Sequence, residues 1–418
     1  MKGSDFMENL AEDKKIICEL AQEYKHIADS SRQKTLREEW RAHNSLKKTR
    51  PLIVCSWDEG SNLAGMLLAG ELKCRNPELR GQELFFRNSI FHNKMGDDWL
   101  YEPYITINAV RKTPSKGSWG YSAVQHRIDQ AFITEPFVFK ESDIQKLERV
   151  DHVIDEAATQ EKLAFFQDVY ADILDVCVNR RPLYSTFGYN DLSTSLAEIL
   201  GFENMMIAMI EEPELVHALQ RFLQNAVMTQ IRQANAAGDY TPKGGWWENE
   251  GTPYCEELKD PTPRRVKCTT KELWGFFASQ EFTLISPAMF DEFMLQYQMP
   301  LMEQFGLVSY GCCENLTNKI SLLRKIPNLR RIGITPTANV AECAKQIERD
   351  YVFALRPNPA MVCTNYDRAS MEQQMKNCLA QAKGTCFDVM LKDVSTVEGE
   401  PQRLFDWVKI TQDLTGGW

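Results

Sequence analysis

The sequence predicts one α/β domain, a single (β/α)8 barrel of the TIM type with an N-terminal helical and mixed extension. Residues 306–383 alternate strand and helix patterns at short spacing, the signature of a parallel sheet with right-handed crossovers. Neither G-x-G-x-x-G nor a Walker motif occurs, which disfavours the open parallel sheets that bind nucleotides. The chain has 418 residues, 43% of them hydrophobic, so it has ample material for a large core.

Residues 1–150 are assigned to the extension and the first part of the barrel, and 151–418 to its main part. Ile16, Ile17, Leu20 and Tyr24 recur at helical spacing, and a second helical segment surrounds Leu36 and Trp40. The apolar run PLIVCSW (51–57) reads as a buried strand, and 58–150 as a mixed lobe. A long helix is expected over 161–179, then a strand over 182–188 and a helix over 193–200. Pro213 opens another helix that continues to about Gln233. Residues 238–268 are rich in Gly, Pro and aromatics, a length typical of a lid or binding segment. Strands then follow at 273–277, 306–310, 329–334 and 351–355, with helices at 316–326, 340–348 and 371–383.

The net charge of −10 and pI near 5.3 argue against nucleic-acid binding, which needs a basic footprint. No window approaches 18 consecutive apolar residues, so no membrane span is expected. The N-terminus lacks the apolar core of a secretory signal, and the expected location is the cytoplasm. Twelve cysteines without disulfide-framework spacing are expected to be reduced, which suits a reducing or anaerobic cytoplasm.

The stretches FGYNDLSTSLAEILGFENMMIAMIEEPELVHALQRF, WGFFASQEFTLISPAMFDEF, GLVSYGCCENLTNKISLLRKIPNLRRIGITP and DYVFALRPNPAMV resemble the uroporphyrinogen decarboxylase superfamily over roughly residues 180–390. That superfamily contains decarboxylases of uroporphyrinogen and corrinoid-dependent methyltransferases. The decarboxylases carry arginines after the first strand, whereas this chain has Asp58 and Glu59, which would repel a polycarboxylate. The resemblance therefore implies the methyltransferase branch, similar to O-demethylases. Its implied partners are a corrinoid protein and a small methylated substrate, and a homodimer is compatible with it. The alternative is a decarboxylase or lyase acting on another small carboxylic acid. Tyr310-Gly311-Cys312 stands where these methyltransferases often carry the His-x-Cys of a zinc site, so the histidine is absent.

The candidate site gathers at the expected carboxyl ends of strands, where such barrels build active sites. Cys312, Cys313 and Glu281 are candidate ligands for a metal, zinc being the candidate, with Cys255 as a further sulfur. Alternatively one thiol is simply buried. Glu281, Tyr310 and Cys312 are the catalytic candidates; either Glu281 or Tyr310 could protonate a leaving oxygen. Arg356 and Asn358, in a proline-bracketed turn, are candidates for gripping a carboxylate. Trp247 and Tyr254 in the long loop, with Asp98, complete the substrate-binding candidates. His217 lies within a helical repeat and reads as structural.

Overall fold

The computed structural model describes all residues except 1–2, 58–71, 114–115, 118, 122–123, 129–130, 186–190, 243–250 and 418. Its strands are β1 (Ile53–Trp57), β2 (Tyr104–Asn108), β3 (Gln125–Ile128), β4 (Ala131–Thr134), β5 (Asp175–Asn179), β6 (Trp274–Phe277), β7 (Leu307–Tyr310), β8 (Leu329–Ile334), β9 (Val352–Leu355) and β10 (Cys386–Val394). Six of them form a curled, wholly parallel sheet in the order β1-β10-β9-β8-β7-β6. β2 and β5 form a separate parallel pair, and β3 and β4 an antiparallel hairpin.

Eight parallel strands are the number a (β/α)8 barrel requires, yet among the described residues they fall into two ladders of six and two. At the β1 edge, side chains stand where a neighbouring strand's carbonyls would be. The Ile53 amide donates to Asp98 Oδ2 at 2.8 Å and the Cys55 amide to Asp97 Oδ2 at 2.9 Å. The Asp98 amide donates in turn to the Ile53 carbonyl at 2.8 Å. An edge strand inside a protein must satisfy these groups somehow, because an orphaned buried amide costs about 1–3 kcal/mol.

Strands β1, β6, β7 and β9 are buried at every position, as expected for parallel strands covered on both faces. Inside the sheet, Arg331 of β8 pairs bidentately with Asp388 of β10 at 2.5 and 2.6 Å, and His43 Nε2 lies 2.9 Å from the same carboxylate. Burial opposes a charge on His43, but Asp388 outweighs it and lifts the imidazole to about 9.

Helices α1 (Gly3–Ala28), α2 (Ser31–Asn44), α3 (Pro77–Asn93), α4 (Glu156–Tyr170), α5 (Ser193–Leu200), α6 (Phe202–Glu211) and α7 (Pro213–Ala237) cover the first half of the chain. Ser30 caps α2 by accepting from the Gln33 amide, a device worth about 1 kcal/mol. No helix among the described residues is long and apolar enough to cross a membrane.

Several sequence expectations need correction. The helix expected over 161–179 stops at Tyr170, where Ala171 takes φ +47°. The remainder is β5, whose Val176 and Val178 alternate as strand residues do. The strand expected over 182–188 begins instead with a 3-10 turn at Leu183–Ser185, and its last residues lie outside those described. Only Ile320–Leu323 of the helix expected over 316–326 is α-helical. β10, the longest strand, and α3 were not anticipated.

Candidate active site

The carboxyl ends of β6, β7, β9 and β10 meet in one connected constellation. Gly311 donates to the Phe277 carbonyl, holding the turn after β7 against the end of β6. Glu314, fully buried, accepts the Ser279 and Cys312 amides, each at 2.7 Å, and so ties the two turns together. Arg356, at the end of β9, donates through Nη1 to the carbonyls of Gly311 (3.1 Å) and Cys312 (2.5 Å). Gly333 leaves room for this contact: a Cβ there would sit 2.8 Å from the Gly311 oxygen and 3.0 Å from Arg356 Nη1. Gly311 itself takes φ +108°, which L side chains rarely adopt.

Cys312 and Cys313 lie with their sulfurs 3.5 Å apart, Cys312 buried and Cys313 exposed. Lys392, late in β10, donates towards Cys313 Sγ at 3.8 Å. A hydrogen bond from the Cys312 thiol brings Cys313 down to about 7; burial opposes this, and the Lys392 charge assists it. Cys312 moves the opposite way, raised because it donates that bond and because it is buried.

A second group of acids adjoins this one. Glu281, two residues beyond Ser279, accepts Ser193 Oγ at 2.5 Å and Thr194 Oγ1 at 3.1 Å, both from the start of α5. Thr194 Oγ1 also lies 3.1 Å from Oδ2 of the buried Asp191. A hydroxyl has one proton to give, so it cannot donate to two carboxylates at once. Both contacts are hydrogen bonds when one of the two acids carries a proton, Asp191 donating to Thr194 and Thr194 to Glu281. Burial first, and then the Glu281 charge, push the Asp191 carboxyl up to about 8.

Gln298 supports the arrangement from beneath. Its amide donates to the carbonyls of Asp191 and Ala278, and its oxygen accepts the Tyr310 hydroxyl at 2.7 Å. Lys319, buried beneath the turn after β6, donates to the Phe282 carbonyl at 2.5 Å. Burial lowers its ammonium to about 8, partly offset by Glu314.

The structure thus gathers Glu281, Tyr310, Cys312, Cys313 and Arg356 at one edge of the sheet. Tyr310 is fully buried, and burial raises its phenol well above the ordinary range. The other sequence candidates lie elsewhere. Asp98 spans the β1 edge, with both oxygens held by Arg50 at 2.7 and 2.8 Å. Tyr254 packs with Leu52 and Trp40, its hydroxyl donating to Glu102. Asn358 is exposed and accepts the Ala360 amide within its own turn. Trp247, together with Asp58 and Glu59, lies outside the described residues. His217 stacks on Phe293 and bonds the Tyr297 hydroxyl at 2.8 Å, a structural placement.

The expected metal ligands do not form a ligand set. Among the described residues no group of three or more His, Cys, Asp or Glu side chains is placed to hold a metal ion. Glu281 is occupied by two hydroxyls, and Cys255 packs with Trp274 and Leu307, at the opposite ends of β6 and β7. The two remaining thiols fall short of the three protein ligands zinc takes, and Lys392 already approaches Cys313, so this donor set does not fit zinc.

Asp191, Thr194, Lys319 and Lys392 escaped the sequence reading. The pattern Asp191-Leu192-Ser193-Thr194 does carry a signal, an acid and hydroxyls at a helix start. Lys392 offered none, since it is one lysine in an apolar strand.

No family model matches this sequence, and no curated protein is significantly similar to it. Among solved structures the chain is similar to a methyltransferase from Methanosarcina mazei, with 11% identity and a TM-score of 0.50. The likeness covers 90% of this chain and 98% of that one. At that identity it is a likeness of fold.

Proposed function

We propose that this protein is a methyltransferase that removes a methyl group from a small O- or N-methylated substrate and passes it to a corrinoid carried by a partner protein. The observation that carries the reading is the row of close contacts Asp191–Thr194–Glu281 at the carboxyl-end edge of the parallel sheet. The name of the structurally similar methyltransferase is in keeping with it.

Demethylation breaks a carbon–heteroatom bond and leaves an alkoxide or amide anion, a poor leaving group unless it is protonated. When bound, the reduced corrinoid supplies the nucleophile that accepts the methyl group. Glu281, the more exposed member of the acid pair, takes up the proton that Asp191 releases through Thr194 and hands it to the departing oxygen or nitrogen. Thr194 gives its proton to Glu281 as it gains the Asp191 proton, and Asp191 is left ionised until solvent reprotonates it. Arg356 and Glu314 act through the backbone, fixing the turns after β6 and β7. Such fixing matters because reacting atoms must be held within a few tenths of an ångström.

The test supplies methyl ethers and methylamines with a reduced corrinoid protein and measures the demethylated product together with methylation of the corrinoid. Glu281→Gln is expected to slow turnover about 10²–10⁴-fold, the usual worth of a general acid. Thr194→Val breaks the relay from Asp191 and is expected to slow even a single turnover. Release of carbon dioxide from a small acid, with no methyl transfer, would replace this reading with the lyase.

A further inference from the structure

We infer that a cavity at the amino ends of β1, β9 and β10, at the far end of these strands from the acids and thiols, binds a small phosphate-bearing anion. The cavity measures about 210 Å³ and is lined by Lys47 and Lys48 after α2, Arg349 before β9, and Lys383 before β10. His43 and Thr49 lie among the remaining lining residues, and no Asp or Glu lines it. In a chain of net charge −10, four cationic side chains converging on one recess mark a local reversal of sign.

One nearby acid offsets it in part, since Glu256 pairs with Lys47; Asp350 pairs with Arg324, and Asp388 is held by Arg331 and His43. No ion pair to Lys48 or Arg349 occurs among the described residues, and both side chains are exposed. The hydroxyl at the inner wall has a favourable polarity as well. His43 Nε2 faces Asp388 and its Nδ1 lies 3.3 Å from Thr49 Oγ1. With His43 donating at both nitrogens, Thr49 accepts and its own hydroxyl proton is left to point outward.

Size and donor geometry choose the ligand. The cavity is smaller than the roughly 300–1,000 Å³ of drug-sized pockets, so it suits a compact ion or a phosphomonoester rather than a nucleotide. Lysine ammoniums act as point charges for phosphate, and an arginine fork binds two phosphate oxygens at once. Donors approaching from three chain segments match a tetrahedral oxyanion better than a planar carboxylate.

This site is independent of the methyl-transfer reading, and so is its test. The full chain is titrated calorimetrically at low salt with inorganic phosphate, inorganic pyrophosphate and glycerol phosphate. Saturable binding of at least one of them at one site per chain is expected, weakened about tenfold or more by Lys48→Ala and by Arg349→Ala. Lys162→Ala, the same charge change on α4, is expected to leave binding within twofold. Tighter binding of the ester than of the free ions identifies an organic phosphate as the ligand, and the reverse order identifies a free one. Both variants replace exposed side chains, and circular dichroism checks that they fold. Absence of saturable binding by all three anions overturns the inference. Equal weakening by Lys162→Ala does so too, because it would reduce the effect to net charge.

Discussion

Asp191→Asn gives the sharpest measurement of the shared proton. In an unfolded chain an aspartate titrates near ~3.9; in the folded protein burial and Glu281 raise this one to about 8. The proton belongs to the pair, and between those two values the folded state binds it while the unfolded state does not. The stability it contributes is complete below about pH 4, declines as pH rises, and is gone above about pH 8. At 1.36 kcal/mol per unit the whole decline is at most about 6 kcal/mol, and water reaching the ionised pair would bring it nearer ~2 kcal/mol. Asparagine has nearly the same shape, donates to Thr194 through its amide, and does not titrate. Wild type minus variant stability should therefore fall steadily from about pH 5 to pH 8 and level off beyond. Urea unfolding of both proteins across that range reads the difference directly. A gap that stays constant with pH, or that grows in favour of wild type, would refute the shared proton.

Three further perturbations probe the surrounding structure. Glu314→Leu leaves the Ser279 and Cys312 amides buried without acceptors and should cost about 3 kcal/mol in urea unfolding; a loss below about 1 kcal/mol would mean that water or a neighbour replaces it. Lys392→Met removes the ammonium beside Cys313, so the pH at which iodoacetamide reacts half-maximally should rise from near 7. Cys313→Ser should abolish that reaction phase, and an unmoved midpoint in Lys392→Met would show that Lys392 does not tune the thiol. Arg331→Leu strands Asp388 on His43 alone and should cost about 3–5 kcal/mol, with part recovered when Asp388→Leu is added.

The parts of the fold that were legible in the sequence are those where one pattern dominates. LRRIGI is a strand over the expected six residues, and the strands at 307–310 and 352–355 fall within one residue of the run of apolar positions. Periodicity failed where two elements meet without a polar break. Nothing between Tyr170 and Asp175 interrupts the apolar spacing strongly enough to separate α4 from β5. At the site, the turn after β7 was visible because two cysteines and a glutamate crowd a strand end. Its function in the fold was not, because Glu314 acts on amides that only the folded chain brings near. Asp98 misled for the same reason: its carboxylate looked available in sequence and proved to be bonded to the β1 backbone and to Arg50.

The β1 edge has a property that the other strand pairings lack. A carbonyl remains an acceptor at every pH, whereas the acceptors for the Ile53 and Cys55 amides are carboxylates, which can take up protons. Burial already raises the Asp98 carboxyl despite its Arg50 partner. Acid would therefore loosen the array at this one seam while every carbonyl-bonded ladder stayed zipped. Hydrogen exchange at low pH should report unravelling that starts at the first strand and spreads from there.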